Sequence, residues 1–244
     1  MLQCSTSSKF MHAPSLSPAA DGSETSRGAL SRERMLRAAV DQFGRHGFDG
    51  TTTRMVAQAA DMNLGAIPYY FGSKDDLYLG AVDFLADFIN AKQVDALNTL
   101  RDLASATTDA HRLIDLVVDF LTAQARHLLA DDVPSSWVQF FMRVQGEAGP
   151  AFDRLYQRVV EPTQREVDTL VARICGSPAD TMLPHTVTFL AWHQVFSFRL
   201  SDTILLRRMG WPELNNERID QLLHLIARLL RAQLEALVPP SSKP

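Results

Sequence analysis

From Ser31 to the last residues of the chain, apolar side chains recur every three or four positions, and nowhere does strict alternation with polar residues persist. Recurrence near 3.6 places such residues on one face of a helix, whereas a half-buried strand needs a period of two. The chain is therefore expected to be all-α. Met35, Leu36, Ala39, Val40 and Phe43 form the first stripe, with Ser31 as its cap and Gly44 and Gly47 as its end. Thr51-Thr52-Thr53 supplies capping hydroxyls for a short second helix carrying Met55, Val56 and Ala59. Asp61-Met62-Asn63 is a turn, and Leu64 to Phe71 is a third short segment. Gly72 breaks the pattern, and Ser73 can cap a longer helix through Leu77, Ala81, Val82, Leu85 and Ile89. Further helices are expected near 93–103, 109–130, 134–146, 150–175, 184–209 and 216–237, between breakers such as Asp131-Asp132-Val133-Pro134, Gly149-Pro150 and Gly210-Trp211-Pro212.

Composition narrows the class of function. With 46% hydrophobic residues over 244 positions the chain can bury a sizeable core. Its two cysteines, Cys4 and Cys175, are too few for a disulfide framework or a paired-cysteine metal site, which fits a reducing, cytoplasmic setting. No secretory leader and no long charge-free apolar run is present, so no membrane partner is expected. The net charge of −4 works against nucleic-acid binding overall, but residues 27–60 hold six arginines against three acids, so one end of the molecule is locally basic. Residues 1–26, with seven serines and no period, read as a disordered tail, and 239–244 as a second short one.

Two short helices around a tight turn, resting on a preceding amphipathic helix, match the helix-turn-helix arrangement, whose second helix enters the DNA major groove. Periodicity alone leaves this reading and an ordinary helical corner equally open. The stretch SRERMLRAAVDQFGRHGFDGTTTRMVAQAADMNLGAIPYYFGSKDDLYLGAV, from Ser31 to Val82, closely resembles the DNA-binding domain of the TetR family. The resemblance implies a helix-turn-helix domain over 27–75, a helical ligand-binding and dimerisation domain over 76–238, and double-stranded operator DNA as partner. Ala38, Phe43, Phe48, Val56, Ala57, Ala60, Ile67 and Phe71 would form the small core of the first domain. Thr52 or Thr53 would cap the second helix and meet a phosphate, with Arg54 beside them. Asn63, Leu64, Gly65 and Ala66 match the first turn of the recognition helix, nearest the base edges. Of the aromatic pair Tyr69 and Tyr70, one ring would face the DNA backbone and the other the core, with Tyr69 assigned to DNA; Lys74 matches a phosphate contact. Pro68 departs from the pattern, since many relatives carry tyrosine there, and it implies a recognition helix that is kinked or very short.

The second half, including WVQFFMRVQGEAGPAFDRLYQRVVEP and LLRRMGWPELNNERIDQLLHLIARLL, is similar to the C-terminal domain of the CecR-like subgroup of that family, which implies a helical, dimerising, small-molecule-sensing domain. Residues 184–209 are apolar nearly all round, and Leu222, Leu223, Ile226, Leu229 and Leu230 stripe the last helix, so each helix must bury two faces, one of them against a partner subunit. A pocket for a small-molecule effector is expected among Trp137, Phe141, Arg143, Trp192, His193 and Phe196. Phe140 and Phe198 join the expected aromatic walls, and Gln145 and Gln194 the polar groups. No catalytic or metal-binding motif appears, so neither an enzyme nor a cofactor is expected. The competing class is a helical adaptor that binds protein partners, favoured by Pro68 and the acidic net charge.

Overall fold

The computed structural model describes residues 22–130 and 133–240, with side chains from Arg27 onward. Residues 1–21 and 241–244 of the expected tails, with Cys4, and the Asp131-Asp132 part of one expected breaker lie outside the described residues. Among the described residues there is no strand. Helix α1 spans Gly22–Gly50 and so begins upstream of Ser31, which is an interior residue rather than the cap. Between Gly22 and Ser31 there is no proline, and the serines, threonine and Gly28 lower helix propensity without breaking the helix. Gly44 does not end it either. The break comes at Gly47, whose φ of 73° and ψ of 177° suit glycine, and the last turn beyond it re-aims Phe48 to stack on Phe43.

Helix α2, Thr53–Ala59, is capped by Thr52, whose hydroxyl accepts the Met55 N–H at 3.2 Å. Thr51 is fully buried and donates to the carbonyls of Gln42 and Gly47, tying this loop to α1. After the turn comes α3, Ala66–Tyr70, of five residues. Pro68 lies in its first turn, where backbone N–H groups have no intrahelical acceptor, so the proline costs no ladder bond; the helix is short instead of kinked. Helix α4, Lys74–Ser105, is capped by Ser73 and runs unbroken for 32 residues, about 48 Å at 1.5 Å per residue. The separate helix expected near 93–103 is its second half, because Asn90-Ala91-Lys92 contains no breaker.

Then follow α5, Ala110–Leu129, capped by Asp109, α6, Ser135–Gly146, and α7, Pro150–Leu155. A π-helical turn, Tyr156–Val160, joins α7 to α8, Glu161–Cys175. Its cause is local: Pro162 lacks an N–H for the carbonyl of Arg158, and its ring crowds that carbonyl, so the turn widens. Asn90 of α4 donates its side-chain amide to the Arg158 carbonyl at 3.0 Å. The expected helix 184–209 is two helices, α9, Met182–Leu200, and α10, Asp202–Met209, which part at Ser201 without glycine or proline. Helix α11, Asn216–Glu235, is capped by Asn215.

Two hydrophobic clusters organise these helices. The first holds the expected small core, Phe43, Val56 and Ile67 among them, but crosses residue 75 to include Trp137, Phe140, Val144 and Leu155. The second gathers α5, α8, α9 and α11. The two halves of the chain thus meet in a shared wall, with α6 packed along α1.

Candidate DNA-contacting face and effector cavity

The short α2, the turn and α3 present one exposed face. Tyr69 is 82% exposed at its centre, whereas Tyr70 turns inward and packs on the first cluster. Thr52 uses a lone pair as the α2 cap and keeps its O–H proton free to donate. Thr53 is half-buried, and Arg54 and Leu64 are exposed. Asn63 accepts the Gly65 N–H at 3.0 Å, closing the turn ahead of α3, so this side chain has a structural task. Gly65 has an ordinary helical φ of −63°, and a Cβ there would meet only Asn63 Oδ1, at 3.6 Å. Nothing in the fold demands glycine at that position. Ala66 packs on the core. Lys74, in the first turn of α4, holds its ammonium 4.3 Å over the Phe48 ring, which fixes a cation at the edge of this face.

Behind the face, α1 and α6 are in close contact. A Cβ at Gly44 would lie 1.9 Å from the Ser136 carbonyl oxygen, so the helix crossing exists only because residue 44 has no side chain. Ser136 Oγ donates to Asp41, and Arg143 Nε donates to the Gly44 carbonyl at 3.1 Å. At the far end of α6, Tyr78 of α4 donates to Glu147 at 2.8 Å from within a cluster with Phe43, Phe48 and Phe140. Burial, and then the adjacent Glu147 carboxylate, raise the Tyr78 pKa well above the ordinary phenol value, so it stays a donor. Arg143 is thus not a cavity residue, and Phe140, fully buried, belongs to the core.

The cavity itself, about 160 Å³, opens between α4, α5, α6, α8 and α9. Trp137, Phe141, Trp192, His193 and Phe196 line it as expected, with Gln145, whereas Phe198 and Gln194 do not. Phe141 and Phe196 stack, and Trp192 stacks on Phe196, forming an apolar floor. His193 Nδ1 lies 2.7 Å from the Phe189 carbonyl, which can only accept, so Nδ1 carries the proton and Nε2 is left as an acceptor in the neutral ring. Residues not anticipated from sequence are Phe88 and Lys92 of α4, Gln124 and His127 of α5, and Gln164 of α8. Trp137 has two further neighbours: Phe84 and Phe88 of α4 meet its ring edge-on, and the Arg37 guanidinium of α1 lies 5.9 Å above it.

Residues 35–81 match the profile of the bacterial regulatory proteins of the TetR family, and residues 110–237 match that of the C-terminal domain of the HTH-type transcriptional dual regulator CecR. The chain is 31% identical to that regulator from Shigella flexneri over 199 residues, spanning 80% of this chain and 87% of that protein. The chain belongs to the TetR family. Within the family it is CecR-like, and it is a transcription regulator rather than an enzyme. The fold agrees with solved TetR-type structures. A transcriptional regulator from Rhodococcus sp. Rha1 superposes with a TM-score of 0.54 at 21% identity, covering 86% of this chain and all of that one. AibR, solved in complex with isovaleryl coenzyme A and operator DNA, gives 0.58 at 12% identity, covering 80% and 97%.

The last helices of this TetR protein leave apolar side chains uncovered. Phe189 and Leu190 of α9, Ile204 of α10, and Leu225 and Leu229 of α11 are each 44–63% exposed. The stripe containing Leu223 and Leu230 is instead buried in the subunit's own second cluster, so those two leucines do not form the outward face. Among the described residues no helix is long and apolar enough to cross a membrane, and no group of side chains could hold a metal ion.

Proposed function

We propose that this protein is a homodimeric, ligand-responsive repressor that binds operator DNA through the α2–α3 face and leaves it when a small molecule fills the cavity. The observation that carries this reading is the position of Trp137. One residue lines the cavity, packs edge-on against α4, and supports Arg37 of α1. A ligand pressing on Trp137 therefore presses on the two helices that hold α2 and α3. Ligand and operator then compete through one conformational equilibrium, and each lowers the affinity of the other by the same factor.

In this reading Tyr69, Thr52 and Lys74 meet backbone phosphates, while Gly65 and its neighbours approach base edges. The exposed stripe on α9, α10 and α11 pairs with its copy in a second subunit, setting two recognition helices in adjacent major grooves of a two-fold site in the cytoplasm. AibR, which has the same fold, was solved in complex with isovaleryl coenzyme A and operator DNA, so one chain of this fold binds both a small molecule and DNA. The test is a gel-shift with the DNA flanking the protein's own gene, repeated with compounds that raise its melting temperature. Retardation that weakens steeply with salt and is relieved by such a compound is expected. A protein that retards no DNA at low salt would instead be a helical adaptor.

A further inference from the structure

The polar groups around the cavity are unequal in kind. Lys92 and Trp192 can only donate hydrogen bonds, while the glutamines and histidines can do both, and no described lining residue carries a carboxylate. Lys92 is exposed at the mouth beside Phe88, 5.8 Å from that ring, and no ion pair joins it to an acid among the described residues. Of the acids of α4 nearest it, Asp87 is paired with Arg158, and Asp95, one turn on, forms no ion pair with Lys92. His127 of α5 is exposed at the same cavity. Deeper in, Trp192 is 9% exposed, and its indole N–H is buried with no hydrogen-bond partner. A buried donor left unpaired is costly, and a ligand acceptor would remove that cost. The body of the site is apolar and small. At about 160 Å³ it compares with the roughly 150 Å³ cavities that accept benzene.

We propose that the cavity takes an amphipathic organic anion, its aromatic or short acyl body against Trp137, Phe141 and Phe196 and its anionic head at Lys92 and His127. This rests on the assignment of the cavity as the effector site. A neutral ligand of the same shape could accept hydrogen bonds but would leave the Lys92 charge unmatched, and a cationic one would face Lys92 across the mouth.

Three compounds with one body and three heads test this: phenylpropanoate, phenylpropanol and phenylpropylamine, titrated calorimetrically into the full chain without DNA. At low salt the carboxylate should bind about tenfold tighter than the amine, with the alcohol between them, and the gap should narrow as salt rises. Lys92→Gln should bring the carboxylate down to the alcohol, and Lys92→Glu should reverse the order. Lys92 is exposed, and unchanged far-ultraviolet circular dichroism and melting temperature will confirm that both variants fold. Alcohol binding with the amine equal to or tighter than the carboxylate, or a carboxylate preference untouched by Lys92→Gln, would overturn the anion assignment while keeping the cavity as a binding site. Failure of all three compounds to bind would overturn both.

Discussion

Two glycines of the same helix should respond in opposite senses to the same substitution. Gly28 and Gly44 both lie inside α1, so replacing either by alanine raises helix propensity by about 0.8–1 kcal/mol. At Gly28 the new methyl group meets only Tyr70 Oη, at 3.9 Å, and the gain should survive as about 0.5–1 kcal/mol of added stability. At Gly44 it lies 1.9 Å from the Ser136 carbonyl oxygen and 2.7 Å from the carbonyl carbon, backbone atoms that cannot rotate away. Helices α1 and α6 must separate, at an overpacking cost of about 1–3 kcal/mol or more. The Arg143 bond to the Gly44 carbonyl, worth about 1 kcal/mol, is stretched with them. Gly44→Ala should therefore be destabilised by about 1–3 kcal/mol, and the two variants should differ by about 2–4 kcal/mol, or roughly 4–16 °C in melting temperature at equal protein concentration. Urea denaturation with a common m-value measures the difference. A Gly44→Ala protein as stable as Gly28→Ala would refute the close α1–α6 crossing and the shared wall built on it.

Other substitutions separate the remaining contacts. Leu225→Asp with Leu229→Asp should yield a folded monomer by light scattering, whereas Leu230→Asp should cost several kcal/mol and unfold the subunit, since a charge would enter the second cluster; a double variant that stays dimeric would remove the outward stripe from the interface. Lys74→Ala should weaken binding to operator and random DNA alike and lower the salt slope by about one, while a bulky residue at Gly65 should damage operator binding selectively and leave the melting temperature unchanged. Asp109 caps α5, and the N–H groups of Arg112 and then His111 hold its carboxyl below the ordinary value of 3.8. Its contribution is present above that value and lost as pH falls through the lower folded one. Asp109→Asn, which keeps a capping oxygen, should flatten the acid limb of the stability profile, and an unchanged slope below about pH 4 would count against the cap.

The capping hydroxyls of Thr52 and Ser73, the short helix pair and the apolar stripes were legible in the sequence because each rests on local chemistry. Arg143 faces away from the cavity for a reason that spacing contains. Trp137, Phe141 and Gln145 lie four apart and share the cavity face, so a residue two positions from Phe141 must look the other way, toward Gly44. The two stripes of α11 could not be ranked, since leucines on both faces carry the same signal and only the packed subunit shows that Leu230 is inside and Leu229 outside. Lys92, His127 and Gln164 come from three separate helices, and no linear pattern joins residues whose proximity is created by packing. Ser201 breaks α9 from α10 without glycine or proline, so the sequence carries no signal of that boundary.

Helix α6 explains why occupancy of so small a cavity could reach DNA. It is 12 residues long, bound to α1 near its start through Ser136 and Asp41, and to α4 just past its end through Glu147 and Tyr78. Between those two anchors its inner face lines the cavity. Gly44 leaves no clearance between α6 and α1, so a displacement of α6 outward from the cavity cannot be absorbed as slack at that crossing. The π-helical turn across the cavity is held to α4 by Asn90 and by the Arg158 pair with Asp83, so the opposite wall resists as well. A ligand that fits within the existing space leaves both walls in place and binds without consequence for DNA. One that exceeds it must move α6 together with α1, or the π turn together with α4, and either movement carries the helices on which α2 and α3 rest. Under this geometry, release from the operator depends on how far a ligand exceeds the cavity rather than on how tightly it binds, because only a difference in affinity between the two arrangements shifts their balance.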